Sequence, residues 1–282
     1  MGQHSGRFGH PSAMTTDQIA ATVRRFAVTA ARAEQAGFDG VEIHAAHGYL
    51  LSQFLSPLVN RRTDAWGGPL ENRTRMLLDT VRAAVAPSFT VAVELNSADF
   101  QRGGFDAPDA RRVIDRPAPL GVDLVELSGG SHESPAMTGR AADGRTRARE
   151  AYFLEPAREL VATSPLPLMR TGGVTRRATA EQVPAEGIAP VGMGTALAVT
   201  PDLPGRRRDG GEAERRMRPV GWKDKPPASA ASMAQVRHQL RRLSRGGAPR
   251  PGVHPAAALL AEQPHQRRAL RRYRARLAAR AS

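Results

Sequence analysis

Apolar and polar positions follow two alternating periods along the first two hundred residues, and each switch marks an element. From Asp17 to Gln35 the residues Ile19, Val23, Phe26, Ala30 and Ala33 recur at helical spacing. Thr15 and Gln18 stand ahead of them as a T-x-x-Q capping box, whose side chains satisfy backbone N–H groups of the first turn. Gly37 ends this helix, and GVEIH follows as a strand. Farther on, ENRTRMLLDTVRAAVA places Leu77, Val81, Ala84 and Val85 on one face and predicts a second amphipathic helix.

The alternation then repeats. Phe89 to Leu95, Val122 to Ser128, Pro167 to Thr171 and, weakly, Ala189 to Gly194 read as strands. Between them APDARRVID, REAYFLEPARELVAT and TRRATAEQ read as helical. Strands that alternate with helices predict parallel βαβ units, here five strands before Pro201. Prolines 117, 119, 184 and 190 fall within expected helices or the last strand, where each removes a backbone donor and shortens the element.

Composition narrows the class. The chain has 282 residues with 40% hydrophobic content, enough for a sizeable core. It has no cysteine, which excludes a disulfide framework, a thiolate metal site and a cysteine-ligated iron–sulfur cluster. With no apolar run long enough to cross a bilayer and no signal peptide, the expected compartment is the cytoplasm and no membrane partner is expected. The net charge of +14 belongs mainly to arginines after Gly205. A division follows: residues 1–204 as an α/β domain and 205–282 as a basic, Arg-rich helical tail. Such a tail could bind nucleic acid or an acidic partner. The plainer reading is a solvated helix face, because Ala, Leu and Arg alternate and aromatic residues for base stacking are nearly absent.

Candidate chemistry gathers where the first strand gives way to a loop, at His44, His47 and Tyr49. Titratable groups at the end of a buried strand suit a reaction site. The residues alone leave three roles open for the histidines: a catalytic or binding pair, satisfied core residues, or two ligands of a metal. Tyr49 alone is either a proton donor or a ring buried with its hydroxyl bonded. Arg61, Arg62, Asp64, Glu71 and Arg73 in NRRTDAWGGPLENR read as a salt-bridge network shaping the loop. Gly172 and Gly173, then Gly192 and Gly194, follow two successive strands and could present N–H groups to a phosphate, or could simply be turns.

The run GFDGVEIHAAHGYLLSQFLSPLVNRRTDAWGGPLENR closely resembles the signature of the old yellow enzyme family, the NADH:flavin oxidoreductases. LNSADFQRGGFD, GVDLVELSGGSHESPAM, LMRTGGVTRRATAEQV, VGMGTALAVTPDLP and WKDKPPASAASMAQVRHQLRRLSRG are also similar, so the likeness covers nearly the whole chain. The resemblance implies a (β/α)8 TIM barrel represented here by roughly strands 4 to 8. It is 2,4-dienoyl-CoA reductase-like without the iron–sulfur part. It also implies FMN as cofactor, NADH or NADPH as reductant, and reduction of an activated, enone-like alkene. His44 and His47 would polarise the substrate carbonyl and Tyr49 would protonate the α-carbon. Gly172, Gly173, Gly192, Gly194 and Thr195 would border the FMN phosphate, with Thr195 where the family commonly has an arginine. Glu94 stands where the family usually carries a cation against the flavin, so its charge would oppose that of the reduced ring. MGQHSGR resembles the end of the third barrel strand, so the resemblance implies that strands one to three lie outside this chain. Either another chain would then supply them, or this is an inactive fragment of a once complete enzyme; a homo-oligomer or a complementing chain is the partner this implies.

Overall fold

A computed structural model describes residues 12–86, 88–129, 160–171, 174, 177–185, 187–188, 190–211 and 216–281. It divides into two compact units, residues 1–173 with 181–192, and residues 174–180 with 193–282.

In the first unit, helix α1 (Thr16–Gln35) opens on the expected box, with Gln18 N donating to Thr15 Oγ1 at 3.2 Å and Thr15 N to Gln18 Oε1 at 2.9 Å. Gly37 takes φ +85°, a left-handed conformation that costs a residue with a Cβ but not glycine, and turns the chain into β1 (Gly40–Ala45). A short helix α2 (Leu50–Leu55) and helix α3 (Leu70–Ala84) lead to β2 (Thr90–Asn96). Helix α4 (Ala107–Ile114) and a single 3₁₀ turn (Ala118–Leu120) bearing Pro119 precede β3 (Leu124–Ser128), and β4 is Leu168–Arg170. The four strands are parallel in the order β1-β2-β3-β4, as the alternating pattern requires of part of an α/β barrel.

Register decides what each face of the sheet carries. Ile43, Val93, Val125 and Leu168 are mutual partners, and they share one face with Ala45, Leu95 and Leu127. That face is buried in a single apolar cluster with Ile19 of α1, Met76, Leu77 and Val81 of α3, and Val113 and Ile114 of α4. The opposite face reads His44, Glu94, Glu126 across three strands, with Glu42 one pleat earlier. His44 and the three strand carboxylates are therefore on the side the helical cluster does not cover.

The expected fifth strand contracts to one bridge, Arg170 to Val191. Arg170 N donates to Pro190 O at 3.2 Å and Gly192 N to Arg170 O at 2.7 Å. Pro190 has no N–H with which to continue the ladder. Of the helix expected over 149–163, residues 160–163 are described and are helical. Pro184 occupies the penultimate position of helix α5 (Arg177–Ala185) instead of dividing it.

The second unit contains α6 (Gly194–Val199), α7 (Leu203–Arg208), α8 (Lys225–Leu243) and α9 (Pro255–Ala281). Where α8 packs on α9, the buried apolar residues are small, Ala228, Ala231, Ala234 and Ala258. Polar side chains complete the interior: Gln235 donates to Arg218 O and Val253 O at 3.1 and 3.0 Å, and Gln239 to Arg250 O at 3.0 Å. Glu262, 5% exposed, accepts from Arg237 and forms an ion pair with Arg241. Beyond Glu262 the described side chains of α9 are exposed on every side, which is the solvated helix the tail's composition suggested. Among the described residues, no helix is long and apolar enough to cross a membrane.

Candidate active site

The carboxyl end of β1 is where the chain turns hardest. His47 has φ +62° and Gly48 φ +74°, two successive left-handed residues, and the second hands the chain to Tyr49 at the N-terminus of α2. A histidine accepts this conformation only with support. His47 N donates to Asn96 Oδ1 at 3.1 Å, and Asn96 Nδ2 in turn donates to Asp99 Oδ1 at 3.2 Å. Asp99, buried at 5% exposure, also accepts from Phe105 N at 3.0 Å. The loop after β2 thus holds the turn after β1.

This turn brings three rings together. The centroids of His44 and His47 lie 5.2 Å apart, and those of His44 and Tyr49 lie 5.1 Å apart. His47 Nε2 is 2.5 Å from Ser128 Oγ and 3.4 Å from Glu94 Oε1, while His44 Nδ1 contacts Glu94 Oε2. The three expected catalytic residues therefore form one cluster. Tyr49 is 48% exposed, which removes the reading of a buried ring.

Electrostatics separates the carboxylates on this face. Partial burial pulls Glu94 upward, but the hydrogen bond from His44, the charges of His47 and His44 and the hydrogen bond from Ser128 outweigh it and hold the carboxyl below its ordinary range. Glu94 is thus an anion directed at the imidazoles. Glu42 behaves oppositely. Partial burial, a hydrogen bond with Glu126 and the charges of Glu126 and Glu94 push it from 4.5 up to about 8. Burial also raises Glu126. At neutral pH Glu42 is mostly protonated while Glu94 stays ionised.

The raised value fixes the sign of a pH effect. Below about 4.5 Glu42 is protonated whether folded or unfolded, and its contribution to stability is fully present; between 4.5 and about 8 only the folded chain keeps the proton, so stability falls as pH rises through that window. Glu42→Gln keeps the neutral form at every pH. It is expected to flatten the slope between pH 5 and 8 and to raise Tm at pH 8 by about 2–4 °C, the equivalent of about 1 kcal/mol in a chain of this size. Thermal melts of both proteins at several pH values test this.

The cofactor-side residues are distributed differently. Gly172 and Gly173 lie outside the described residues. A Cβ at Gly192 would meet Thr171 Oγ1 at 2.7 Å, so the contact beside β4 by itself requires glycine there. Gly194 and Thr195 are exposed at the start of α6 in the second unit, with nothing within 4 Å of a Cβ built on Gly194. The space beside the Gly194 backbone is therefore open. On the sheet face, Glu94 contacts both imidazoles, one with each carboxylate oxygen.

Glu42, Asn96, Asp99, Glu126 and Ser128 were not singled out by the sequence reading. A signal was present: the triplet Val-Glu-Ile/Leu recurs at Val41–Glu42–Ile43, Val93–Glu94–Leu95 and Val125–Glu126–Leu127, one charge per strand between apolar neighbours. The expected loop network also exists but reaches farther than the loop. Arg62 pairs with Asp64, whereas Arg73 pairs with Asp109 and Glu71 with Arg112 and Arg116 of the α4 region.

Comparison with known proteins places this geometry. The NADH-dependent flavin oxidoreductase iliE of Hypocrea jecorina is 37% identical over 206 residues, covering 70% of this chain and 51% of its own. The NADH oxidase of Thermoanaerobacter brockii is 30% identical over 209 residues, covering 72% of this chain and 31% of its own. The NADPH dehydrogenase of Halalkalibacterium halodurans is 42% identical over 125 residues, covering 43% of this chain and 36% of its own. This chain therefore spans about half of the first and about a third of the other two. Among solved structures, 2-naphthoyl-CoA reductase in complex with 2-naphthoyl-CoA superposes with TM-score 0.67 at 30% identity, covering 75% of this chain and 32% of the other. Histamine dehydrogenase from Rhizobium sp. 4-9 shares the fold, with TM-score 0.62 at 21% identity over 81% of this chain and 32% of its own. The family model described as NADH:flavin oxidoreductase / NADH oxidase matches residues 2–214, a span that includes the whole parallel sheet and the histidine turn. By that match and by these relatives, the chain belongs to the NADH:flavin oxidoreductase / NADH oxidase family, whose cofactors are FMN and a nicotinamide reductant.

Proposed function

We propose that this chain carries the substrate-binding wall of an FMN-dependent enzyme that reduces an activated alkene at the expense of NADH or NADPH. The observation behind the reading is the convergence of His44, His47 and Tyr49 on one strand end, with both histidines oriented by polar partners. His44 engages Glu94 through Nδ1, so Nε2 is the ring nitrogen left to face a substrate carbonyl. The proton of His47 is placed by Ser128 and Glu94, and its backbone by Asn96. Two imidazole donors on one carbonyl oxygen stabilise the negative charge that develops there when the conjugated double bond is attacked. FMN, when bound, supplies the hydride that adds to the β-carbon. The phenol of Tyr49, half exposed and stacked at a tilt on His44, then donates a proton to the α-carbon.

The test is direct. The full chain is mixed with FMN, separated from free flavin, and assayed anaerobically for NADH and NADPH consumption dependent on 2-cyclohexen-1-one. Bound flavin with enone-dependent turnover is the expected result. A folded protein that retains no flavin and reduces no enone overturns the reading.

A further inference from the structure

We propose that His44, His47 and Glu94 also constitute a binding site for a divalent transition-metal ion, best matched to Zn2+. This goes beyond the flavin chemistry and does not depend on it. Each residue offers one ligand atom, and the three atoms all lie within 4.8 Å of one another. Nitrogen and oxygen ligands sit about 2.0–2.2 Å from Zn2+, so the edges of a tetrahedral site measure about 3.3–3.6 Å. His47 Nε2 and Glu94 Oε1, 3.4 Å apart, already have that spacing. His44 Nδ1 contacts the other carboxylate oxygen, and side-chain rotation would open that contact around an ion.

The backbone preorganises the set. His44 and Glu94 are direct partners in the β1–β2 ladder, so their Cα atoms are fixed side by side and only side-chain rotation is needed to close on an ion. The His47 backbone is pinned by Asn96. Glu94 and His47 are largely buried, with 12% and 15% of their side chains exposed, whereas 36% of the His44 side chain is exposed and gives an ion a way in. Two imidazoles and one carboxylate are intermediate ligands that suit Zn2+ better than Mg2+ or Ca2+. Three protein ligands leave the fourth position open, as in zinc sites that bind water or an exchangeable ligand. The sequence alone left metal ligation open for the histidine pair; parallel pairing brings Glu94 to it as a third ligand.

Zn2+ titration by calorimetry into the full, chelator-stripped, flavin-free chain tests the site, with Co2+ absorption as a second probe. The expected result is one equivalent bound per chain at pH 7.5. The affinity should fall by about 100-fold or more in Glu94→Gln and in His47→Asn, and weaken as pH drops and protons compete for the imidazoles. Circular dichroism identifies the folded variants, and Glu94→Gln preserves side-chain size so that at least one is informative. His238→Ala, in the second unit, should leave the affinity unchanged. Absence of saturable binding, or binding undiminished in a folded Glu94→Gln protein, overturns the proposal. Neither assay contains flavin or enone, so failure here leaves the alkene-reduction reading standing, and failure of that reading leaves this one standing.

Discussion

Arg73→Met is expected to destabilise the sheet unit by about 3–5 kcal/mol, the largest stability effect of any single charged residue discussed. Arg73 is only 7% exposed and does three things at once. Nη2 pairs with Asp109 of α4 at 3.1 Å, Nε donates to Gly68 O at 3.1 Å, and Nη1 donates to Leu55 O at the end of α2. Methionine replaces the aliphatic stem but none of the donors. It leaves two backbone carbonyls unsatisfied and Asp109, 17% exposed, without its cation. Arg82 gives the contrast: it pairs with Asp79 one turn away with 54% of its side chain exposed, and Arg82→Met should cost less than about 1 kcal/mol. Urea midpoints of the two variants at equal m-value measure the difference. Equal losses would show that the α2–α3–α4 corner is held by apolar packing alone.

Tyr49→Phe is expected to lower alkene reduction by about 10²–10⁴-fold, the range for loss of a general acid, while leaving flavin reduction by NADH unchanged. Two half-reactions measured separately by stopped flow make the distinction. The ring keeps its tilted contact with His44 in the variant, and the residue is already 48% exposed, so Tm should stay within about 1 °C. If both half-reactions slow together, Tyr49 shapes the site without donating the proton. If neither slows, water reaches the α-carbon and the phenol is dispensable.

How far the sequence could be read depends on the distance over which each contact acts. Helix α1 was legible to within one residue of its start because its cap and apolar stripe are local and agree. The strands were legible because each is an apolar run bounded by turn residues. Helix α2 was read as loop: it has six residues, begins after two left-handed positions, and has no side-chain cap, so nothing local announces it. The last strand was overestimated because its apolar residues flank Pro190, and the missing donor counts for more than the composition.

The same limit governs the site. His44, His47 and Tyr49 lie within six residues of one another and were read together. Asn96 and Ser128, which position His47, are 49 and 81 residues away from it, and Glu42 finds Glu126 only across the sheet. Periodicity states which face a residue occupies; it does not state which strand lies beside it. Glu94 was singled out for its charge, yet its partners became clear only from the parallel register.

That register has a consequence for how this gene can change. Along β2 the buried Val91, Val93 and Leu95 alternate with Ala92 and Glu94, and the neighbouring strands read the same alternation in step. Point substitutions alter one face at a time. Deletion of one codon between Thr90 and Val93 would exchange the faces of that stretch, turning apolar side chains toward the histidines and polar ones into the helical cluster. In its descendants, substitutions that keep each position apolar or polar should therefore be tolerated in the strands, and insertions or deletions only in the loops between them.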